Sequence, residues 1–180
     1  MHWSGRDSMR KSIVDEITFR DQVHTNDPHA VREIVTSTAF FSASEVDVAE
    51  ELVTERLAKG EESGYFFVFA DIPGRGTMGY ACYGPTPCTV STHDLYWIAV
   101  HEEMRGQGLG RKLMAEVEER LRRAKGGKLI AETSSRAQYE PTQRFYLSCG
   151  FSNEARIRDY YAPGEDILYF TKYVDLLKQG

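Results

Sequence analysis

The stretch Arg105-Gly106-Gln107-Gly108-Leu109-Gly110 holds the residue types and spacing best suited to bind an anion. Its glycines leave backbone N–H groups bare of side chains. Upstream, Leu95-Tyr96-Trp97-Ile98-Ala99-Val100 is rich in aromatic and β-branched residues and reads as a strand. Downstream, Leu109, Leu113, Val117 and Leu121 recur every four residues, with Glu116, Glu118, Glu119, Arg120, Arg122 and Arg123 between them. That is the pattern of a helix with one buried face. The glycines therefore mark a strand-to-helix turn, where the first helical N–H groups lack internal partners and the helix dipole is positive. Such a turn seats a phosphate. Arg105, Arg111 and Lys112 cluster around it. Basic residues at a helix start oppose its dipole, so their presence points to an anionic ligand and not to helix stability.

Spacing narrows the kind of seat. A dinucleotide fingerprint needs glycine at 111, where Arg111 stands, and a P-loop needs Gly-Lys-Ser/Thr, whereas Gly110 is followed by Arg111 and Lys112. The chain does contain a G-x-G-x-x-G at Gly74, Gly76 and Gly79, but it follows Pro73 and runs into the strand-like Tyr80-Ala81-Cys82-Tyr83. With no helix behind it, that motif is a hairpin turn. What remains is Arg-x-x-Gly-x-Gly after Ile98-Ala99-Val100, which resembles the acetyl-CoA-binding motif of the GNAT superfamily of N-acetyltransferases. A second stretch, Thr142-Gln143-Arg144-Phe145-Tyr146-Leu147-Ser148-Cys149-Gly150-Phe151, is similar to the family's later motif, a short helix that carries a tyrosine and ends in Gly-Phe. Local physics agrees: Pro141 suits a first helical turn, and Gly150 suits the left-handed position just past a helix end. The resemblance extends roughly from Ile17 to Val174.

The resemblance implies an α/β fold of GNAT type: a mixed, mostly antiparallel sheet flanked by helices, with a parallel strand pair around the CoA-binding helix. It implies transfer of the acetyl group of acetyl-CoA, the co-substrate, to a primary amine of a small molecule by direct attack. The pyrophosphate seat would be Arg105, Gly106, Gln107, Gly108, Leu109, Gly110 and Arg111. Ile98, Ala99 and Val100 would lend backbone groups to the pantetheine arm and the thioester carbonyl. Tyr146 would be the general acid for the departing thiolate, since a phenol of pKa about 10 stays protonated at pH 7. Glu132, in Leu129-Ile130-Ala131-Glu132, would be the base, with Asp94 in reserve. A base matters most for a lysine-like amine, neutral about once in 2,500 at pH 7, and much less for an α-amine, neutral roughly one time in ten.

Two features leave alternatives open. Many family members carry Asn seven residues before the helix tyrosine, where this chain has Tyr139; a non-catalytic acyl-CoA sensor is one alternative. Arg158-Asp159-Tyr160-Tyr161 with Glu165-Asp166 is similar to the C-terminal hairpin of bacterial ribosomal-protein N-α-acetyltransferases, which makes a protein N-terminus the other acceptor. A plain hairpin with its tip at Ala162-Pro163-Gly164 accounts for the same residues. Tyr96, Trp97, Tyr160 and Tyr161 suit an aromatic-lined acceptor pocket or a core equally.

The elements that must position these groups follow from periodicity. Ile17–Arg20 alternates as a strand, and Pro28–Ser37 and Glu45–Ala58 have helical patterns, the second with Ser44 as N-cap and Gly60 as stop. Tyr65–Asp71 and Thr77–Tyr83 form an antiparallel hairpin. After the glycine-bearing helix come a strand at 128–133, a helix at 141–149, and strands around 153–160 and 167–174. Residues 1–13 are polar and expected to fray.

Composition sets the outer bounds. A chain of 180 residues suits a single domain, and 41% hydrophobic with 27% charged content suits a globular protein. A net charge of −5 argues against nucleic acid as main partner. The longest apolar run, Tyr65 to Ala70, falls far short of the roughly 20 residues of a membrane span, and the N-terminal residues lack the apolar core of a signal peptide. With Cys82, Cys88 and Cys149 odd in number and scattered, a reducing cytoplasm is expected. The histidines are too dispersed for a metal site, so no metal is expected. A homodimer is compatible with the sequence.

Overall fold

The computed structural model describes residues 16–174; the expected fraying of residues 1–13 lies outside them. Among the described residues seven strands form one sheet. They are β1 (Thr18–Arg20), β2 (Phe66–Ile72), β3 (Gly76–Pro85), β4 (Thr92–Val100), β5 (Gly127–Ser134), β6 (Ser152–Ala162) and β7 (Glu165–Val174), in the order β1-β2-β3-β4-β5-β7-β6. Among the described residues only the β4–β5 pairing is parallel. Its crossover is the helix α3 (Leu109–Arg123), and parallel neighbours require such a connection. The fold is thus the mixed, mostly antiparallel sheet expected. Pro73-Gly74-Arg75 turns β2 into β3, so the G-x-G-x-x-G motif is a hairpin.

Helices cover both faces. α1 (Asp27–Ser37) and α2 (Ala43–Lys59) bury Val31, Ile34, Val35, Val46 and Val53 against Phe67, Phe69 and Tyr80. On the other face, α3 buries Leu109, Leu113, Val117 and Leu121, the stripe seen in the sequence, together with Met114. A short helix α4 (Glu140–Ser148) adds Tyr146 to this second core.

Two local expectations are corrected. The N-cap of α2 is Ser42, not Ser44. Ser42 accepts a bond from the Glu45 N–H at 3.3 Å, and the Glu45 carboxylate accepts one from the Ser42 N–H at 2.8 Å. This reciprocal box satisfies two otherwise unpaired donors and starts the helix two residues early. Gly60 ends it as expected. Glu118, placed by pattern on the polar face of α3, is 6% exposed. Lys172 on β7 donates to it at 2.6 Å and Arg122 at 3.2 Å, which offsets the cost of burying its charge.

The sheet has one irregularity that shapes everything at its centre. Opposite β3, Trp97 pairs with Cys82 but Leu95 pairs with Tyr83, so Tyr96 is an extra residue in β4. A bulge of this kind bends its strand and sharpens the local twist. The parallel pairing with β5 stops there, at Leu95 opposite Ala131. Beyond that point β4 and β5 part.

Candidate active site

Where β4 and β5 separate, a cleft of about 1510 Å³ opens, lined by β4, the loop before α3, β5, α4 and the α1–α2 loop. The backbone of β4 is partly free at this point. The His101 N–H donates to the Met78 carbonyl at 2.9 Å. Strand backbone groups alternate sides, so Ala99 also faces β3, while Ile98 and Val100 turn their N–H and C=O groups into the gap. All three residues line the cleft.

The loop at 105–108 closes one end. Gly106 and Gly108 have φ of 73° and 82°, and Gly108 is the N-cap of α3. That left-handed region is close to strain-free only for glycine. The loop's path leaves the N–H groups from Gly106 to Arg111 with no acceptor among the described residues; the first α3 bond runs from the Lys112 N–H to the Gly108 carbonyl at 3.2 Å. A Cβ on Gly110 would meet the Phe145 ring at 3.3 Å, so a bare position lets α4 press on the start of α3. Arg105 and Arg111 are exposed at the cleft wall, Arg105 paired with Glu102 at 2.7 Å. Gln107 does not line the cleft; its side chain donates to the Glu103 carbonyl at 2.8 Å.

The Gly-Phe ending of α4 has a mechanical purpose. Gly150, at φ 84°, lets its own N–H donate to the Leu147 carbonyl at 3.0 Å and the Phe151 N–H to the Tyr146 carbonyl at 3.1 Å. This paired closure brings Phe151 onto Tyr146, ring centroids 5.6 Å apart. Phe170 packs at the same distance from another side. Tyr146 is therefore held by its backbone and by two rings. It is 6% exposed, it lines the cleft, and its hydroxyl has no hydrogen-bond partner among the described residues. Burial pushes the phenol well above its ordinary pKa.

Glu132 and Asp94 occupy the opposite wall. Lateral pairing puts Asp94 opposite Ile130, and Glu132 follows two residues along β5 on the same face. Burial and, next, the neighbouring Asp94 charge raise the Glu132 pKa. Aromatic rings surround them. Phe41 contacts Trp97 at 5.0 Å, Phe40 contacts Phe41 at 5.1 Å, and Phe40 meets Tyr139 edge-on at 4.9 Å. Tyr161 reaches the cleft from β6, while Tyr160 does not. Phe40 and Phe41 were not singled out in the sequence; an aromatic pair in a helix–helix connection is the signal that could have found them. Among the described residues no group of three or more His, Cys, Asp or Glu could hold a metal ion, and no helix is long and apolar enough to cross a membrane.

A parallel strand pair that splits beside a glycine-rich loop of unpaired N–H groups, with a buried phenol lining the same cleft, points to the acetyl-CoA-dependent transferases of α/β class. The chain belongs to the GNAT family of acetyltransferases, whose model matches residues 29–151. A protein of Desulfovibrio desulfuricans assigned to the same family is 48% identical over 88% of this chain and 99% of that one, with a TM-score of 0.85. The ribosomal-protein-S18-alanine N-acetyltransferase of Escherichia coli superposes with a TM-score of 0.69 at 21% identity, over 91% of this chain and 97% of that one. An acetyltransferase from Salmonella typhimurium with its cofactor acetyl-CoA gives 0.67 at 21% identity, over 91% and 97%. At that identity the last two show the fold alone. No curated protein matches the chain. The protein is an acetyl-CoA-dependent acetyltransferase.

Proposed function

We propose that this enzyme acetylates a primary amine of a small molecule by direct attack within the split-strand cleft. Bound acetyl-CoA supplies the acetyl group as a thioester. The amine nitrogen forms the N–C bond, the C–S bond breaks, Glu132 takes the proton from the nitrogen, and Tyr146 gives one to the departing thiolate. The observation that carries this reading is that Glu132, on β5, and Tyr146, on α4, line one cleft, the Tyr146 hydroxyl without a partner among the described residues.

The cradle from Gly106 to Arg111 would hold the pyrophosphate through its unpaired N–H groups, with Arg105 and Arg111 adding charge. The Gln107 contribution is its N–H, since its side chain is spent on Glu103. Ile98 and Val100 present free groups to the pantetheine arm and the carbonyl oxygen; one well-placed donor to a developing oxyanion is worth roughly 3–4 kcal/mol. The raised pKa of Glu132 makes it a stronger base than an ordinary carboxylate, which suits it to an ammonium.

A small acceptor is favoured by the Phe40–Tyr139 contact, which joins the α1–α2 loop to the turn before α4 along the cleft wall. The acidic residues of the hairpin that suggested a protein N-terminus are engaged within the fold, while Tyr160 and Tyr161 stay half-exposed. Asp166 is 3% exposed, bound to Arg156 and to the Asp159 N–H at 2.9 Å, and Glu165 accepts from Ser134 at 2.8 Å. The test is release of CoA thiol from acetyl-CoA across small amines and short peptides. Small amines are expected to drive release; release with peptides alone would replace this reading.

A further inference from the structure

Asp94 and Glu132 stand on one face of the sheet without a cation. Neither joins an ion pair among the described residues, and the hydrogen bond made to this pair comes from the Thr86 hydroxyl to Asp94 at 2.8 Å. The other acidic groups of the cleft are engaged: Glu45 by Ser42, and Glu165 by Ser134 and by Arg136 at 3.7 Å. Two uncompensated carboxylates on a partly desolvated wall repel each other, and a bound cation relieves that repulsion. Rings frame the pair. Tyr96 is the bulge residue of β4, Tyr169 is paired with Glu132 across β5–β7, and Tyr161 lines the same cleft. Burial is the larger cause, but the carboxylates add to it in pushing the Tyr96 and Tyr161 phenols up to about 12, which marks the wall as negative. Ring faces beside a desolvated cation add attraction of their own. Tyr146, nine-tenths buried and with its hydroxyl unpartnered among the described residues, lines the same cleft.

We propose that the acceptor is an amine carrying a second positive charge and no carboxylate, with its reacting nitrogen at Glu132 and its second cation at Asp94 among the tyrosine rings. This rests on the small-amine reading above and makes it specific. Once Glu132 has taken its proton it is neutral, whereas Asp94 takes no part in that proton transfer. A second cation therefore stays paired through the whole reaction. A carboxylate on the acceptor, as in a free amino acid, would meet the same negative wall and be repelled.

Two matched pairs test this with the enzyme as it stands. Comparison of n-butylamine with 1,4-diaminobutane, and of glycine with glycinamide, is made by thiol release at low ionic strength. The diamine and the amide are each expected to have kcat/KM, counted per neutral amine, roughly tenfold or more above their partners, with the diamine advantage shrinking as salt rises. Asp94→Asn retains an oxygen for the Thr86 hydroxyl, and its melting temperature checks the fold. In that variant the ratio of diamine to monoamine should fall to near one. Equal or inverted ratios in the native enzyme, or a ratio that survives in Asp94→Asn, would overturn the proposal. Should none of the four be acetylated, calorimetric binding of 1,4-diaminobutane to the CoA-bound enzyme decides the matter, because loss of that binding in Asp94→Asn supports the cation site and absence of binding removes it. Failure of acetyl transfer to every small amine counts against the reaction itself and leaves this binding measurement standing apart.

Discussion

Leu95 and Trp97 lie two residues apart on one strand, yet Leu95 packs into the α3 core and Trp97 against the α1–α2 core. Strand alternation alone would send both to the same face. The extra residue Tyr96 reverses the phase between them, and the same bulge ends the pairing of β4 with β5. One inserted residue thereby opens the cleft, frees the backbone of Ile98 and Val100, and leaves Asp94 and Glu132 facing it.

Tyr146→Phe keeps the ring that packs against Phe151 and Phe170 and removes only the hydroxyl. Turnover should fall by roughly 10²-fold or more, the scale of lost general-acid help, with CoA affinity nearly unchanged. Steady-state rates and calorimetric CoA binding measure the two separately. Full activity in the variant would remove Tyr146 as the acid.

The acid limb of the pH profile should report Glu132. In the proposed reaction attack needs its carboxylate form, and burial with the Asp94 charge holds its pKa above the ordinary value. The limb should therefore lie higher than for an ordinary glutamate. Asp94→Asn removes a negative neighbour, so ionising Glu132 becomes easier and the limb should move to lower pH. Measured with a monoamine acceptor, a limb that stays in place or moves up would contradict this assignment.

Gly108→Ala tests the anion seat. The added Cβ has open space around it, but φ of 82° costs an L-residue about 1–2 kcal/mol. The loop can relax only by turning its N–H groups. Melting temperature should fall modestly, and CoA should bind more weakly by calorimetry. Unchanged CoA affinity would mean that the loop's geometry is not what holds the cofactor.

Lys172→Met strands the Glu118 charge in the core beneath α3 and also releases the Cys149 carbonyl, to which Lys172 donates at 2.7 Å. Unpairing a buried charge typically costs about 3 kcal/mol or more, lessened here by Arg122. Adding Glu118→Leu should recover most of the loss. Denaturant titration of the single and double variants shows whether it does.

Much of this was legible in the chain. The glycine turn, the α3 stripe and the Gly150-Phe151 ending are local, because each depends on residues within a few positions and on rules of dihedral angle and amphipathic spacing. The element order followed from the same signals. What stayed hidden depends on long-range contact. The Tyr96 bulge is set by β3, since no local pattern marks which residue of Leu95–Val100 is surplus. Glu118 looked solvated because its partner Lys172 lies 54 residues away. Phe40 and Tyr139 meet only in three dimensions. The nearness of Glu132 to Asp94 likewise needed the register of β4 on β5.

The central claim is acetyl transfer to a small amine in the split-strand cleft. The most direct measurement offers isotopically labelled acetyl-CoA to the enzyme with an equimolar mixture of small amines and short peptides, and identifies the labelled products by mass. The account predicts label on small amines, lost in Tyr146→Phe. Label confined to peptide N-termini, or no labelled amine of any kind, would contradict it.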